Sequence, residues 1–99
     1  MVRSRVLSRQ TLSVLAALTN APGDWLYGLE LAERTGLKSG SLYPILIRLD
    51  ERALVESRWV EAATPGRPPR HAYRILPAGR NALAEAERAA PARSRESLA

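Results

Sequence analysis

The 99-residue sequence has no cysteine and a single histidine. Without cysteine, neither a disulfide framework nor a thiolate metal site can form, and the chain needs no oxidising compartment. No apolar run approaches the ~18 residues of a membrane span, and the N-terminus lacks the apolar segment of a signal peptide. We therefore expect a cytoplasmic protein that has no metal, no cofactor and no membrane partner.

Catalytic groups are also scarce. There is no Gly-rich phosphate loop and no spaced pair of acidic residues suited to a pocket, and one histidine without cysteine offers little nucleophilic chemistry. The sequence thus predicts a binding protein and not an enzyme.

Positive charge is what the chain has in excess. Lys and Arg number 15 against 10 acidic residues, which gives a net charge of +5 and favours a polyanionic partner, although a solvated surface can have the same composition. Residues 1–23 and 62–76 contain no acid. Their basic residues are Arg3, Arg5 and Arg9 in the first segment and Arg67, Arg70 and Arg74 in the second.

The first helix is expected from a cap at Ser8 to about Asn20, after a loose basic arm. It is apolar around most of its circumference. One stripe consists of Leu12, Leu15 and Ala16, and the other of Val14, Ala17 and Leu18. A domain this short buries only about 60 to 65% of its unfolded surface. We expect it to cover one stripe, which leaves the other for a dimer partner.

Two further helices follow. Asp24 is a candidate cap for a helix ending near Thr35, where Gly36 supplies the positive φ of a tight turn. Ser39 is a candidate cap for a third helix that ends near Arg52. Its core stripe is Leu42, Ile45, Leu46 and Leu49, at helical spacing. Pro44 falls in its first turns, where the missing N–H costs little.

A hairpin and a last helix complete the pattern. Strands are expected over Leu54–Glu61 and His71–Ile75, joined by a Pro-stiffened loop. Val55, Ser57 and Trp59 share one side of the first, and His71, Tyr73 and Ile75 one side of the second. Trp25 and Trp59 are assigned to the core or the domain edge. From Pro77 to about Ala90 the composition favours a helix, and residues 92–99 are expected to fray.

Together these segments predict an α+β, mainly α fold. It is a winged helix-turn-helix over residues 1–76, with a C-terminal dimerisation helix over 77–91 and a tail over 92–99.

The chain resembles the PadR-like family of bacterial transcription regulators, in its short-tailed branch. The resemblance covers about Leu12 to Leu83. Each motif alone is a weak indication of the family, but the ordered set is a strong one. The motifs are YGLEL at 27–31, TGLKSGSLYP at 35–44, the segment Leu46 to Leu54, Trp59, GRPPRHAY at 66–73 and PAGR at 77–80. Two positions depart from the family pattern: Leu76 stands where a Thr usually caps the last helix, and Ala53 where Gly usually follows the third helix.

The resemblance implies a homodimeric repressor that grips an inverted repeat, with the last helix of each subunit on the first helix of the other. The expected dimer residues are Leu12, Val14, Leu15, Leu18, Leu83, Ala86 and Ala90. A small apolar effector could bind among the first and last helices. Some short-tailed relatives bind flat aromatic drugs between Trp side chains at the dimer interface. The last helix of this chain has no aromatic residue and so lacks the side chains for that role.

The expected partner is double-stranded DNA, with the third helix in the major groove and the hairpin loop on phosphates. The candidate DNA-binding residues are Tyr27, Lys38, Ser39, Ser41, Tyr43, Pro44, Ile47, Arg48, Arg67, Arg70 and His71. A solvated helix face, aromatic rings packed over the core edge and a soluble Arg/Pro turn are the structural alternatives. A winged-helix module that binds protein or RNA is the alternative function.

Overall fold

A computed structural model describes residues 7–21 and 25–89, and these form four helices and a three-stranded antiparallel sheet. The elements are α1 (Arg9–Thr19), β1 (Leu26–Tyr27), α2 (Gly28–Thr35), α3 (Ser39–Glu51), β2 (Val55–Val60), β3 (Arg70–Ile75) and α4 (Pro77–Ala89). The strand order is β1-β3-β2. The α+β, mainly α class is confirmed. The predictions for the basic arm at Arg3 and Arg5, for Ala90 and for the tail lie outside the described residues.

Helix α1 begins as expected. The Ser8 hydroxyl accepts a hydrogen bond from the Thr11 N–H at 3.1 Å, and Asn20 is the C-cap. Elements α2, α4 and β3 of the same chain all pack against α1. They bury Leu15 of the first apolar stripe and Val14 and Leu18 of the second.

The expectation that the chain covers one stripe and leaves the other uncovered is therefore wrong, because each stripe is buried in part, with Leu12, Ala16 and Ala17 partly exposed. Val14, Leu15 and Leu18 are at most 1% exposed, and Leu83 of α4 is buried as well. These four predicted dimer residues belong to the core of the single chain. Leu12 and Ala86 keep partial exposure.

Helix α2 starts later than predicted. Leu26 and Tyr27 form β1, which pairs with Tyr73 and Ala72 of β3, so Asp24, itself outside the described residues, is too early to cap α2. The Tyr27 N–H instead donates to Oε1 of Glu30 at 2.9 Å, which satisfies one free donor at the start of the helix. Gly36 has φ of 75°, as the turn requires.

Helix α3 also differs at its start. Lys38 is the N-cap and Ser39 is the first helical residue, so Ser39 does not cap the helix. Pro44 is the sixth residue of α3 and lies past its first turn. The Gly40 carbonyl therefore lacks the N–H it would bond at Pro44, but Gly40 is exposed, so water can reach this carbonyl.

The hairpin has the predicted alternation. Val55 pairs with Ile75, Ser57 with Tyr73 and Trp59 with His71. The core stripe of α3 is confirmed, since Leu42, Ile45, Leu46 and Leu49 are at most 4% exposed. Gly79 of α4 lies so close to the Leu54 carbonyl that a Cβ there would overlap it. This contact seats α4 against the end of α3 and the start of β2.

Candidate nucleic-acid interface

The exposed apolar surface collects beside the outer face of α3. Among the described residues, the large hydrophobic side chains left exposed are Leu29 at 65%, Tyr43 at 38%, Ile47 at 57% and Trp59 at 66%. All but Ile47 line one open cleft of about 460 Å³ between the helix-turn-helix and the hairpin. The lining residues are Tyr27, Gly28, Leu29, Tyr43, Trp59, Pro69, Arg70 and His71. No carboxylate is among them.

The predicted residues of α3 lie on its surface, away from the core stripe. Lys38, Ser39, Ser41, Pro44, Ile47 and Arg48 are all exposed, as is Tyr43. A face that carries small and cationic side chains beside an uncovered Ile can approach a flat or grooved partner closely. Since the inner stripe is buried, changes on this outer face are separable from folding.

Tyr43 is positioned by the start of α2. Its hydroxyl lies where a Cβ on residue 28 would be, so only glycine at position 28 leaves room for the ring. Gly28 thus fixes the approach of α2 to α3 at the wall of the cleft.

Arg70 is held at the opposite wall. Its guanidinium carbon lies 3.6 Å from the centroid of the Tyr27 ring, a cation–π contact between the first residue of β3 and the residue before α2. The structure therefore brings Tyr27, Tyr43, Arg70 and His71 together, as four of the predicted DNA-binding residues lining one cleft.

Two predicted cations lie elsewhere. Arg48 lines a smaller recess of about 170 Å³ between α3 and the start of α1, with Ser8, Thr11 and Arg52. Arg67 lies near the tip of the hairpin loop, where Gly66 has φ of 88°. The candidate residues therefore occupy a central cleft with a cationic flank on each side.

An aromatic ladder runs along the hairpin on the face that packs towards α3. The rings of Trp59 and His71 are stacked with centroids 4.2 Å apart, and the Tyr73 hydroxyl is 3.0 Å from Nδ1 of His71. Burial, with smaller contributions from Tyr43 and Asp50, raises the pKa of Tyr73 to about 12. Its phenol therefore keeps its proton at neutral pH.

Trp59 lines the cleft but is not among the DNA-binding residues predicted from the sequence. Of the two assignments made for Trp59, the core is wrong and the domain edge is consistent with its 66% exposure. The alternation that buries Val55 places Trp59 on the same side of the strand, but beyond the helices that cover Val55. Leu29 was also missed. A Trp at the far end of a strand, next to a basic loop, was the available signal for Trp59.

The other face of the sheet has a different character. Trp25 is half-buried there beneath the guanidinium groups of Arg58 and Arg74. The Arg74 Nε donates to Oε1 of Glu56 at 3.0 Å. Arg74 therefore lies in a surface ion pair over Trp25, apart from Arg70 in the cleft and Arg67 in the loop.

Residues 7–21 and 25–89 contain no cluster of three or more His, Cys, Asp or Glu that could hold a metal ion. None of the helices within these ranges combines the length and the apolar character needed to cross a bilayer.

Comparison with known proteins agrees with this geometry. The structure of a PadR-like transcription factor from Bacteroides fragilis superposes with a TM-score of 0.71 at 25% identity, over 89% of this chain and 84% of that one. A PadR family regulator from Clostridium difficile R20291 gives 0.71 at 20% identity, covering 92% and 94%. BpsR of Bordetella bronchiseptica, whose DNA binding is regulated by 6-hydroxynicotinic acid, gives 0.76 at 16% identity over 98% and 69%, a likeness of fold alone.

A search of curated proteins finds no match. The model of the transcriptional regulator PadR-like family matches residues 14–85, which include all the described elements from α2 to β3 and the motifs that carry the resemblance. The family comprises transcriptional regulators and not enzymes. The chain belongs to the PadR-like family of transcriptional regulators.

Proposed function

We propose that the chain is a sequence-specific DNA-binding regulator, and that it acts as a homodimeric repressor on an inverted repeat. The observation that carries this proposal is the concentration of uncovered apolar and cationic side chains on the outer face of α3 and the adjoining cleft. Duplex DNA is a partner that uses both, because base edges and methyl groups meet apolar side chains while phosphates meet cations.

In this proposal α3 enters the major groove. Tyr43, Pro44 and Ile47 face the bases and sugars, and Arg48 reaches a guanine edge or a phosphate from the flank. Lys38, Ser39 and Ser41 lie near the start of α3, where free backbone N–H groups favour a phosphate.

The hairpin contributes affinity more than sequence information. Replacing both Arg67 and Arg70 with Ala should weaken specific and nonspecific DNA alike and reduce the salt slope by about two, at roughly 0.9 per phosphate contact. Arg74→Ala removes the same charge at a position that lines neither the cleft nor the loop recess, and as the matched control it should leave the slope nearly unchanged. The test is DNA binding across a series of salt concentrations.

A dimer would place two copies of α3 on one face of the duplex. Four of the predicted dimer residues are buried in the single chain. On α1, the surface available for a dimer contact therefore includes Leu12 and Ala16, which are four residues apart and partly exposed. Two copies of α3 roughly 34 Å apart would bind half-sites about 10 bp apart. Sedimentation of the protein alone and footprinting on DNA upstream of its own gene test the two statements.

A small apolar effector is part of the proposal. The regulation of BpsR, a protein of similar fold, by 6-hydroxynicotinic acid supports a small-molecule effector, and its apolar character is inferred from the Leu, Val and Ala side chains of α1 and α4. An effector should release the protein from DNA by binding better to a DNA-incompetent state. Titration of the protein–DNA complex with small aromatic acids would reveal it as a loss of binding.

Failure to bind any duplex DNA at low salt would leave a winged-helix module for protein or RNA as the better explanation of the same surface.

A further inference from the structure

Trp59 and His71 form a stacked aromatic pair at the wall of the cleft. His71 is among the DNA-binding residues predicted from the sequence, but Trp59 is not. Trp59 is 66% exposed, although it stacks on His71 with ring planes only 12° apart. An indole that only stabilised the core would be buried, so the exposure of this large apolar side chain points to a binding role. The stack instead holds the indole in one orientation at the wall of the cleft.

The cleft favours a polyanion with an apolar component. Its lining carries Arg70 and no carboxylate, and Arg67 lies further out on the same hairpin. A DNA strand has this chemistry, since charged phosphates alternate with deoxyribose rings whose carbon faces are apolar. A purely apolar ligand would leave the cations unused.

The hydrogen bond between Tyr73 and His71 favours one tautomer of the imidazole. Tyr73 is 3% exposed, its raised pKa keeps it protonated, and within the described residues its hydroxyl forms a hydrogen bond with Nδ1 of His71. A buried phenol donates wherever an acceptor is in reach, because an unmade hydrogen bond costs more than a made one gains. The neutral imidazole then carries its hydrogen on Nε2.

We propose that Trp59 packs on a deoxyribose of one DNA strand lying in the cleft, that His71 donates from Nε2 to an adjacent phosphate, and that Tyr73 is the positioning residue for this donor. The proposal rests on the DNA-binding function proposed above and extends it to the wall opposite α3. It assigns to the base of the hairpin loop a contact that involves the sugar–phosphate backbone and no base edge.

The chain has two tryptophans, on opposite faces of the sheet, and this gives an internal control. The Trp25→Phe variant reports Trp59 alone, and the Trp59→Phe variant reports Trp25 alone. On addition of a mixed-sequence DNA duplex, we expect the emission of Trp59 to change and its quenching by acrylamide to fall, while the emission of Trp25 stays constant. Binding of the labelled duplex, followed by anisotropy, is measured in the same samples.

Affinity and tautomer are tested separately. Trp59→Ala should weaken duplex binding about tenfold, which corresponds to about 1.4 kcal/mol, and Trp59→Phe should retain most of the affinity. Because His71 is the sole histidine, its long-range proton–nitrogen spectrum at about pH 8, where a free imidazole is neutral, needs no assignment. It should show the Nε2–H form in the native chain and lose that preference in Tyr73→Phe, whose DNA binding should also weaken.

The outcomes separate the two proposals. If anisotropy shows no duplex binding at low salt, the DNA-binding function itself fails. If the duplex binds but Trp59 emission does not respond and Trp59→Ala binds as tightly as the native chain, the cleft contact is overturned while the function stands. An Nδ1–H spectrum in the native chain overturns the role of Tyr73.

Discussion

Helices α1 and α3 both carry apolar residues beyond a single core stripe, but the chain buries those of α1 more completely than those of α3. Around α1, the packing of α2, β3 and α4 leaves Val14, Leu15 and Leu18 at most 1% exposed. On α3, Ile47 is 57% and Tyr43 38% exposed. The large apolar side chains left most exposed on these two helices therefore lie on the outer face of α3, which the proposed function assigns to DNA.

The difference changes how each helix should respond to substitution. Leu15 of α1, which the sequence pattern assigned to a dimer partner, is buried in the core, whereas Ile47 of α3 is exposed and is proposed to contact DNA. The two helices can be compared in pairs of matched substitutions.

The largest expected effect comes from the apolar positions themselves. Leu15→Ala should lower the free energy of unfolding by about 2–5 kcal/mol, because it leaves a cavity in a fully packed site. Ile47→Ala should change it by about 0.5 kcal/mol or less, as surface substitutions do. Urea denaturation measures both. Equal losses in the two variants would mean that the outer face of α3 is covered in solution.

The second comparison concerns function. Arg48→Ala should weaken operator binding by about 1–3 kcal/mol if Arg48 contacts a base edge, and relax discrimination at one position of each half-site. If Arg48 holds a phosphate, affinity should fall evenly across sequences. Arg88→Ala, in the last turn of α4, is the control and should bind normally. Native operator affinity in an Arg48→Ala, Tyr43→Ala double variant that keeps its circular dichroism would contradict the assignment of α3 to the groove.

The third comparison is between the two helix starts. Ser8→Ala should cost about 1 kcal/mol, because it removes the acceptor for the Thr11 N–H. Ser39→Ala should cost much less, since Ser39 is inside the helix and caps nothing. Thermal unfolding of both variants decides the point, and equal losses would show that Ser39 caps α3 in solution.

The fold could be predicted from the sequence where local chemistry decides it. The spacing of Leu42 to Leu49, the cap at Ser8 and the turn at Gly36 each depend on neighbours within a few residues. The strand at Leu26 and Tyr27 could not be predicted, because two residues carry no alternation and exist as a strand only by pairing with β3.

The candidate site could be predicted where it depends on residues close together in the sequence. Residues on the outer face of α3 follow from the position of its core stripe. Whether Trp59 is buried depends on where the covering helices end, and whether Leu15 faces a partner depends on where α4 packs. Both depend on how the elements pack together, which the spacing of apolar residues along one element cannot predict.

The smallest expected effect concerns the ends of the two helices. Helix α3 ends in a Schellman arrangement, in which the Leu54 N–H donates to the Leu49 carbonyl at 2.9 Å and the Ala53 N–H to the Asp50 carbonyl at 3.0 Å. This places Ala53 at φ of 60°, in the left-handed region where its Cβ is strained. Ala53→Gly should relieve the strain and raise the free energy of unfolding by about 0.5–1 kcal/mol, after the entropic penalty of glycine.

The matched control is at the end of α1, where Asn20 has φ of −91° and needs no glycine. Asn20→Gly should lower stability slightly, because glycine gains nothing at negative φ and enlarges the entropy of the unfolded chain. Urea midpoints that move in opposite directions for Ala53→Gly and Asn20→Gly would confirm that the end of α3 is strained and the end of α1 is not. A loss of stability in Ala53→Gly would mean that the Ala53 methyl group contributes packing that exceeds its backbone strain.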